Sequence, residues 1–196
     1  MTTAIAPSRA TSTTWEIDPA HTHVEFAVKH MMISTVKGRF GDVKGTIHLD
    51  DAEPANSSVD VTIGAASIDT RQEQRDGHLR SPDFFDAEQY PAMTFRSKRV
   101  TAGADGDLRI VGDLTIRTIV KEVVLDVTPE GRRRDPWGKE RAGFSAKGKL
   151  NRRDFGLTYN QALEAGGFLV GDDIKLSVDV ELVQTAEVES DALAIA

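Results

Sequence analysis

The chain has 196 residues, enough for one domain with a full core, and its 24 basic against 31 acidic residues leave a net charge of −7. That balance argues against a nucleic-acid partner, because phosphate neutralisation needs a net basic face. With no cysteine in the chain, disulfides, thiolate nucleophiles and cysteine-based zinc sites are excluded.

Residues 1–14 read as a flexible lead-in, rich in Ser, Thr and Ala and without the apolar run of a secretory signal peptide. No stretch has the length of a membrane-spanning helix, so a cytoplasmic protein with no membrane span is the expectation. Beyond the lead-in, apolar residues recur with period two, the signature of half-buried strands. Val24, Phe26 and Val28 share the apolar face of a first strand. Residues 36–50 change parity, with Val36, Gly38 and Phe40 even and Val43, Ile47 and Leu49 odd. A glycine-assisted bulge between Gly41 and Gly45 predicts one bent strand rather than a break. Val59, Val61 and Ile63 mark the next strand.

Residues 67–90 are too many for a hairpin, and short helices are expected around residues 70–88. Thr70 with Glu73 forms a capping box, and Ser81 followed by Pro82 reads as a second helix start. The adjacent Phe84 and Phe85 either plug the end of the domain as core or divide between core and an opening. Strands follow at Met93 and Phe95, at Leu108–Ile116 and at Val123–Val127. The run Arg132-Arg133-Arg134 reads as a solvated loop. Ala142, Phe144, Ala146, Gly148 and Leu150 give another strand, a long connection spans 151–172, and Ile174, Leu176, Val178, Val180 and Leu182 give the last. Residues 184–196 read as a flexible tail.

Eight strands with one apolar face and little helix to cover them must bury that face against themselves. A closed antiparallel barrel or a two-sheet sandwich does so, and an eight-stranded barrel is just wide enough for packed side chains or one small ligand.

Three of the five histidines, His21, His23 and His30, lie within ten positions. Strand parity puts His30 with Val24, Phe26 and Val28, and His21 and His23 on the other face. One strand cannot aim all three at one metal ion. His21 and His23 supply two metal ligands only if His48 or His78 joins them, and no metal site is expected from spacing alone. Nucleophile-elbow, phosphate-loop, dinucleotide and zinc-protease motifs do not occur. Without a nucleophile beside a base, binding is favoured over catalysis.

The segments "WEIDPAHTHVEFAVKH", "VKGRFGDVKGTI", "RDGHLRSPDFFDAEQYPAMTFRS", "GDLTIRTIVKEVVL" and "NRRDFGLTYNQALEAGGFLVGDDIKLSVDVEL" resemble successive signatures of the YceI-like family. The resemblance covers residues 15–183 as one barrel domain. It implies an all-β fold: an extended eight-stranded antiparallel β-barrel, lipocalin-like. It also implies non-enzymatic binding, sequestration or transport of a polyisoprenoid or similar long-chain amphiphile, often by a homodimer. No cofactor is implied beyond that bound isoprenoid or fatty chain. Thr22 stands where the family has serine, and Thr118 and Val120 where it has glycine and threonine.

For such a ligand, burial of each CH₂ contributes about 0.8 kcal/mol, so a long chain binds with little polar contact. The inward residues offered to it are Phe26, Val28, Phe40, Val61, Phe95, Leu114, Ile116, Leu125, Phe144 and Leu176, with Phe84 and Phe85 from the long connection. His30, Arg80, Tyr159 and Asn160 are the candidate contacts to a polar head. Two other readings stand beside this one: a small hydrolase or isomerase assisted by metal at His21 and His23, and a ligand-free stress protein with a filled barrel.

Overall fold

A computed structural model describes residues 12–164 and 166–185. Eight antiparallel strands run up and down in chain order and close on themselves. They are β1 (Ser12–Ile17 and His23–His30), β2 (Ser34–Phe40 and Val43–Asp50), β3 (Ser58–Gly64 and Ile68–Asp69) and β4 (Ala92–Ala102), then β5 (Leu108–Ile116), β6 (Ile119–Arg134), β7 (Glu140–Asn151) and β8 (Val170–Gln184). The last strand joins both segments of the first, pairing Gln184 with Trp15, Leu182 with Ile17 and Leu176 with Phe26. Closure leaves no long sheet edge unpaired among the described residues.

The first three strands break at one level. In β1 the interruption is the short turn Pro19–His21, started by Pro19 and capped by the Asp18 carboxylate. In β2 it is Gly41 and Asp42, and in β3 it is Ala65–Ser67. The breaks of β2 and β3 are bonded to each other, Gly41 N–H donating to the Ser67 carbonyl and Gly64 N–H to the Asp42 carbonyl. The bent strand expected over residues 36–50 is therefore two segments meeting at a corner. The parity change is real: Phe40 and Val43 are both buried, on either side of the two-residue step. A similar change in β4 occurs at a bulge between Ser97 and Arg99, which lets Val100 follow Met93 and Phe95 into the interior.

Three boundaries differ from the sequence reading. The first strand starts at Ser12, three residues inside the presumed lead-in, because Thr13 and Thr14 find ladder partners in Leu49 and His48. The connection 70–88 holds a single α-helix, α1 (Glu73–Arg80), with Gln72 rather than Thr70 as its cap. Ser81 ends that helix instead of starting another; its N–H and hydroxyl both donate to the His78 carbonyl. Arg132, Arg133 and Arg134 belong to β6, which extends past the apolar pattern by pairing with β7. The remainder of the expected tail, from residue 186, lies outside the described residues.

The turn after β1, α1 with the turns behind it, the turn after β5, and residues 152–169 all lie at one end of the barrel, the capped end. Trp15, Ile47, Leu49, Ala142 and Leu182 pack together at the other. Trp15 is 1% exposed, its indole N–H donates to the Thr13 hydroxyl, and the Arg132 guanidinium stacks over its ring at 5.2 Å. Among the described residues no helix is long and apolar enough to cross a membrane.

Candidate functional site

The barrel encloses a cavity of about 280 Å³, near the lower end of the range for small-molecule sites. Its walls are drawn from all eight strands and are almost entirely apolar; Thr22, Ser57 and Arg152 are the polar residues among them. The interior is not uniform. Phe40, Phe95, Leu114 and Ile116, on β2, β4 and β5, are buried in close packing. Phe26, Val28, Leu125, Phe144 and Leu176 point inward yet keep accessible surface, because the space in front of them is open. On β8 this holds for Ile174, Leu176, Val178 and Val180 alike. Half the wall is thus ordinary core, and the wall made by β7, β8 and β1 faces free volume.

Glycines set the width locally. A Cβ on Gly38 would stand 2.4 Å from the Phe26 ring and 2.8 Å from the Thr70 methyl, so the glycine lets Phe26 lie flat across its neighbouring strand. Gly112 does the same for Phe95, with a Cβ position 2.5 Å from that ring.

The capped end is closed by aromatic side chains. Phe85 meets Phe40 edge-on at 5.7 Å, and Phe40 meets Phe26 at 5.7 Å. Phe84 is buried between His78 at 5.1 Å and Tyr159 at 5.3 Å. Both phenylalanines line the cavity, together with Leu79 of α1. Three polar clamps hold this cap. Asp76 is buried and accepts from the Thr70 N–H at 3.0 Å and from its hydroxyl. Arg80 donates to the carbonyls of Ala66 and Ile68, each at 2.9 Å, fastening α1 to the corner of β3. His78 pairs through Nε2 with Asp83 at 2.9 Å.

Arg152 is the functional residue that alternation does not flag. It is 3% exposed, touches the cavity, and spends its donors on the carbonyls of Leu157, Tyr159, Val170 and Gly171 and on the Asp172 carboxylate. Burial pulls its pKa below the ordinary arginine value, with Asp172 acting in the opposite direction. The residue fixes the long 152–169 connection over the barrel. A signal existed: a stretch this long with little secondary structure needs an internal anchor for its backbone groups, and "NRRDFG" supplies the Asn151 cap, the arginine and the left-handed Gly156 at φ 74°.

Of the candidate ligand contacts, Phe26, Val28, Phe40, Val61, Phe84, Phe85, Phe95, Leu114, Ile116, Leu125, Phe144 and Leu176 are brought together around the cavity. The four candidate head contacts are not among its lining residues. His30 is half-buried at the rim, where its backbone pairs with Ser34 and Val170. Asn160 is occupied by the backbone of Gln161 and Val170, accepting from both N–H groups and donating to the Val170 carbonyl at 2.7 Å. Arg80 is used in the clamp described above. Tyr159 packs on His78 at 4.7 Å, and its hydroxyl meets the Gln161 amide. The serine-to-threonine change at Thr22 keeps a buried hydroxyl, which accepts from the Glu181 N–H at 3.4 Å and borders the cavity.

His21 and His23 are not brought to one point. His21 joins Asp18 and Glu181 in the single three-donor group found among the described residues, and His23 is not part of it. A guanidinium already occupies that group: Arg141 donates to Asp18 at 2.6 Å and to Glu181, as well as to Asp135 at 2.8 Å. Arg141 and then His21 hold the Asp18 carboxyl down to about 2 by hydrogen bonding.

The profile of the YceI-like domain matches residues 15–182. The chain belongs to the YceI-like family. Among curated relatives, the UPF0312 protein SA2479 of Staphylococcus aureus is 37% identical over 170 residues, covering 86% of this chain and 96% of the relative. The Campylobacter jejuni YCEI protein has 39% identity and a TM-score of 0.67, over 80% of this chain and 90% of that one. Two more distant structures share the fold. BcnA of Burkholderia cenocepacia has a TM-score of 0.73 at 24% identity, covering 84% of this chain and 98% of its own. A polyisoprenoid binding domain from Saccharophagus degradans has a TM-score of 0.59 at 13% identity, covering 88% and 99%. The closed eight-stranded barrel of this chain is therefore the family's fold, and its cavity is the candidate site.

Proposed function

We propose that this YceI-like barrel binds a polyisoprenoid or a similar long-chain amphiphile in its interior, as a sequestering or carrier protein without catalytic chemistry. The observation that carries the reading is the cavity lined from all eight strands by apolar side chains. Its polar neighbours are engaged: Arg152 with backbone carbonyls and Asp172, Thr22 with the Glu181 N–H, and Ser57 with the Asp50 N–H. A site of that kind gains by removing hydrocarbon from water and offers little to a reacting polar group. A related fold in Saccharophagus degradans is described as a polyisoprenoid binding domain, which supports the ligand class. Among the described residues that line the cavity there is no base beside a nucleophile, so hydrolase or isomerase chemistry draws no support from them.

Native mass spectrometry of protein purified from its own host tests the proposal. A reproducible adduct whose mass fits a polyprenyl or fatty chain is the expected result. Protein that stays free of adducts, and that takes up no polyprenol added in solution, overturns it.

A further inference from the structure

The turn that joins β1, in the open wall, to β2 is made of Met31, Met32 and Ile33, which are 40%, 66% and 82% exposed. Phe168, 57% exposed, continues this patch from the neighbouring connection. The two segments are joined by the Met31 N–H, which donates to the Leu169 carbonyl at 2.8 Å, and Met32 Cγ lies 3.7 Å from where a Cβ on Gly167 would stand. Met31 and Met32 both have left-handed backbone, φ 51° and 64°, a conformation disfavoured for side chains of this size. Asparagine and glycine would sit there without strain. Instead the turn carries three large apolar side chains into solvent.

We infer that this tip docks the protein on the surface of a neutral lipid bilayer, where the cavity exchanges its hydrocarbon ligand. The inference rests on the lipid-binding reading above. Two observations select the occupant. First, the patch lies at the capped end: His30, next to Met31, pairs with Val170, which borders the cavity, and Phe84 and Phe85 close that same end. Second, the four side chains expose on the order of 500 Å², short of the roughly 800 Å² each partner contributes to a standard protein interface. A patch of that size on an exposed turn suits shallow insertion among lipid headgroups. The net charge of −7 disfavours an anionic surface and points to a zwitterionic one.

Flotation of the full chain with phosphatidylcholine vesicles tests this, using Met32→Glu with Ile33→Glu and, separately, Met31→Asn with Met32→Gly. Wild type floats with the vesicles, and the glutamate pair lowers the bound fraction about tenfold. The Asn-Gly variant relieves the backbone, raises the melting temperature and still loses vesicle binding. Both variants take up polyprenol delivered from cyclodextrin as wild type does. Equal flotation of all three proteins, or none by wild type, overturns the inference. So does a dimer in light scattering that dissociates only in the variants, since the tip would then be covered by a second copy. Loss of polyprenol uptake in wild type overturns the ligand reading instead.

Discussion

Arg141 and Asp18 are 123 residues apart in the chain and 2.6 Å apart in the fold. The contact ties the break in β1 to β7, while the same guanidinium reaches Glu181 on β8 and Asp135 in the turn before β7. Asp18 titrates near 2 in the folded protein against an ordinary 3.8. A depressed carboxylate stabilises the fold at pH values above 3.8, and that contribution is lost as pH falls from 3.8 through about 2. Asp135 is held down in the same way by Arg141. Acid unfolding should therefore steepen below pH 4. In Asp18→Asn, proton uptake on unfolding near pH 3 should fall by up to about one, measured as a shallower dependence of stability on pH.

Arg152 should resist even conservative replacement. A lysine supplies one compact charge where a planar guanidinium serves five acceptors. Arg152→Met leaves buried carbonyls without donors and Asp172 with Arg153 alone, at 3.6 Å, so a loss of about 3 kcal/mol or more is expected in denaturant unfolding. Arg152→Lys should recover a minor part of it.

Filling the open wall should separate ligand binding from folding. Val178 faces the cavity from β8 and pairs across the ladders with Ala146 and Val24, so a larger side chain projects into free volume. Val178→Trp should keep the thermal midpoint near wild type and weaken polyprenol binding about tenfold or more in a titration. The same enlargement at Phe95 or Ile116, in the close-packed wall, should lower stability first.

Trp15 and Trp137 give a clean optical assay. Trp137 is 82% exposed in the turn between β6 and β7, at the end away from the cap. Trp15 is enclosed beside Ile47, Leu49 and Leu182, which border the cavity. In Trp137→Phe, emission should be blue-shifted, poorly quenched by iodide and altered by polyprenol. In Trp15→Phe, the remaining emission should be quenched readily and indifferent to ligand.

The barrel was legible in the sequence because alternation is a direct imprint of its two faces, and Ile174–Leu182 shows it without interruption. The same alternation brought the inward phenylalanines and valines to one cavity. It was silent on which of them pack and which face open space, because both kinds of wall use the same residue types. Ser97–Arg99 and Gly41–Asp42 show its second limit: a bulge or corner reverses parity, and only the paired strand reveals where. Of the cap, the helical connection and the plugging Phe84 and Phe85 were legible, but its polar contacts were not. His30, Arg80, Tyr159 and Asn160 read in the sequence as contacts to a polar head, but three of them are committed to the contacts that hold the cap together. Arg152 escaped for the opposite reason, since a charged residue in a loop reads as solvated until its acceptors are known.

The seam between β1 and β8 has a consequence for how the protein comes into being. Trp15 meets Gln184 there, and Ile17 meets Leu182, so the floor of the cavity is assembled from opposite ends of the chain. Contacts of such separation form late and slowly, because a long loop must close before they are rewarded. A nascent chain lacking its last strand has seven strands, two raw edges and an apolar trough without a floor. Synthesis of the final strand is thus the step that turns an aggregation-prone sheet into a vessel.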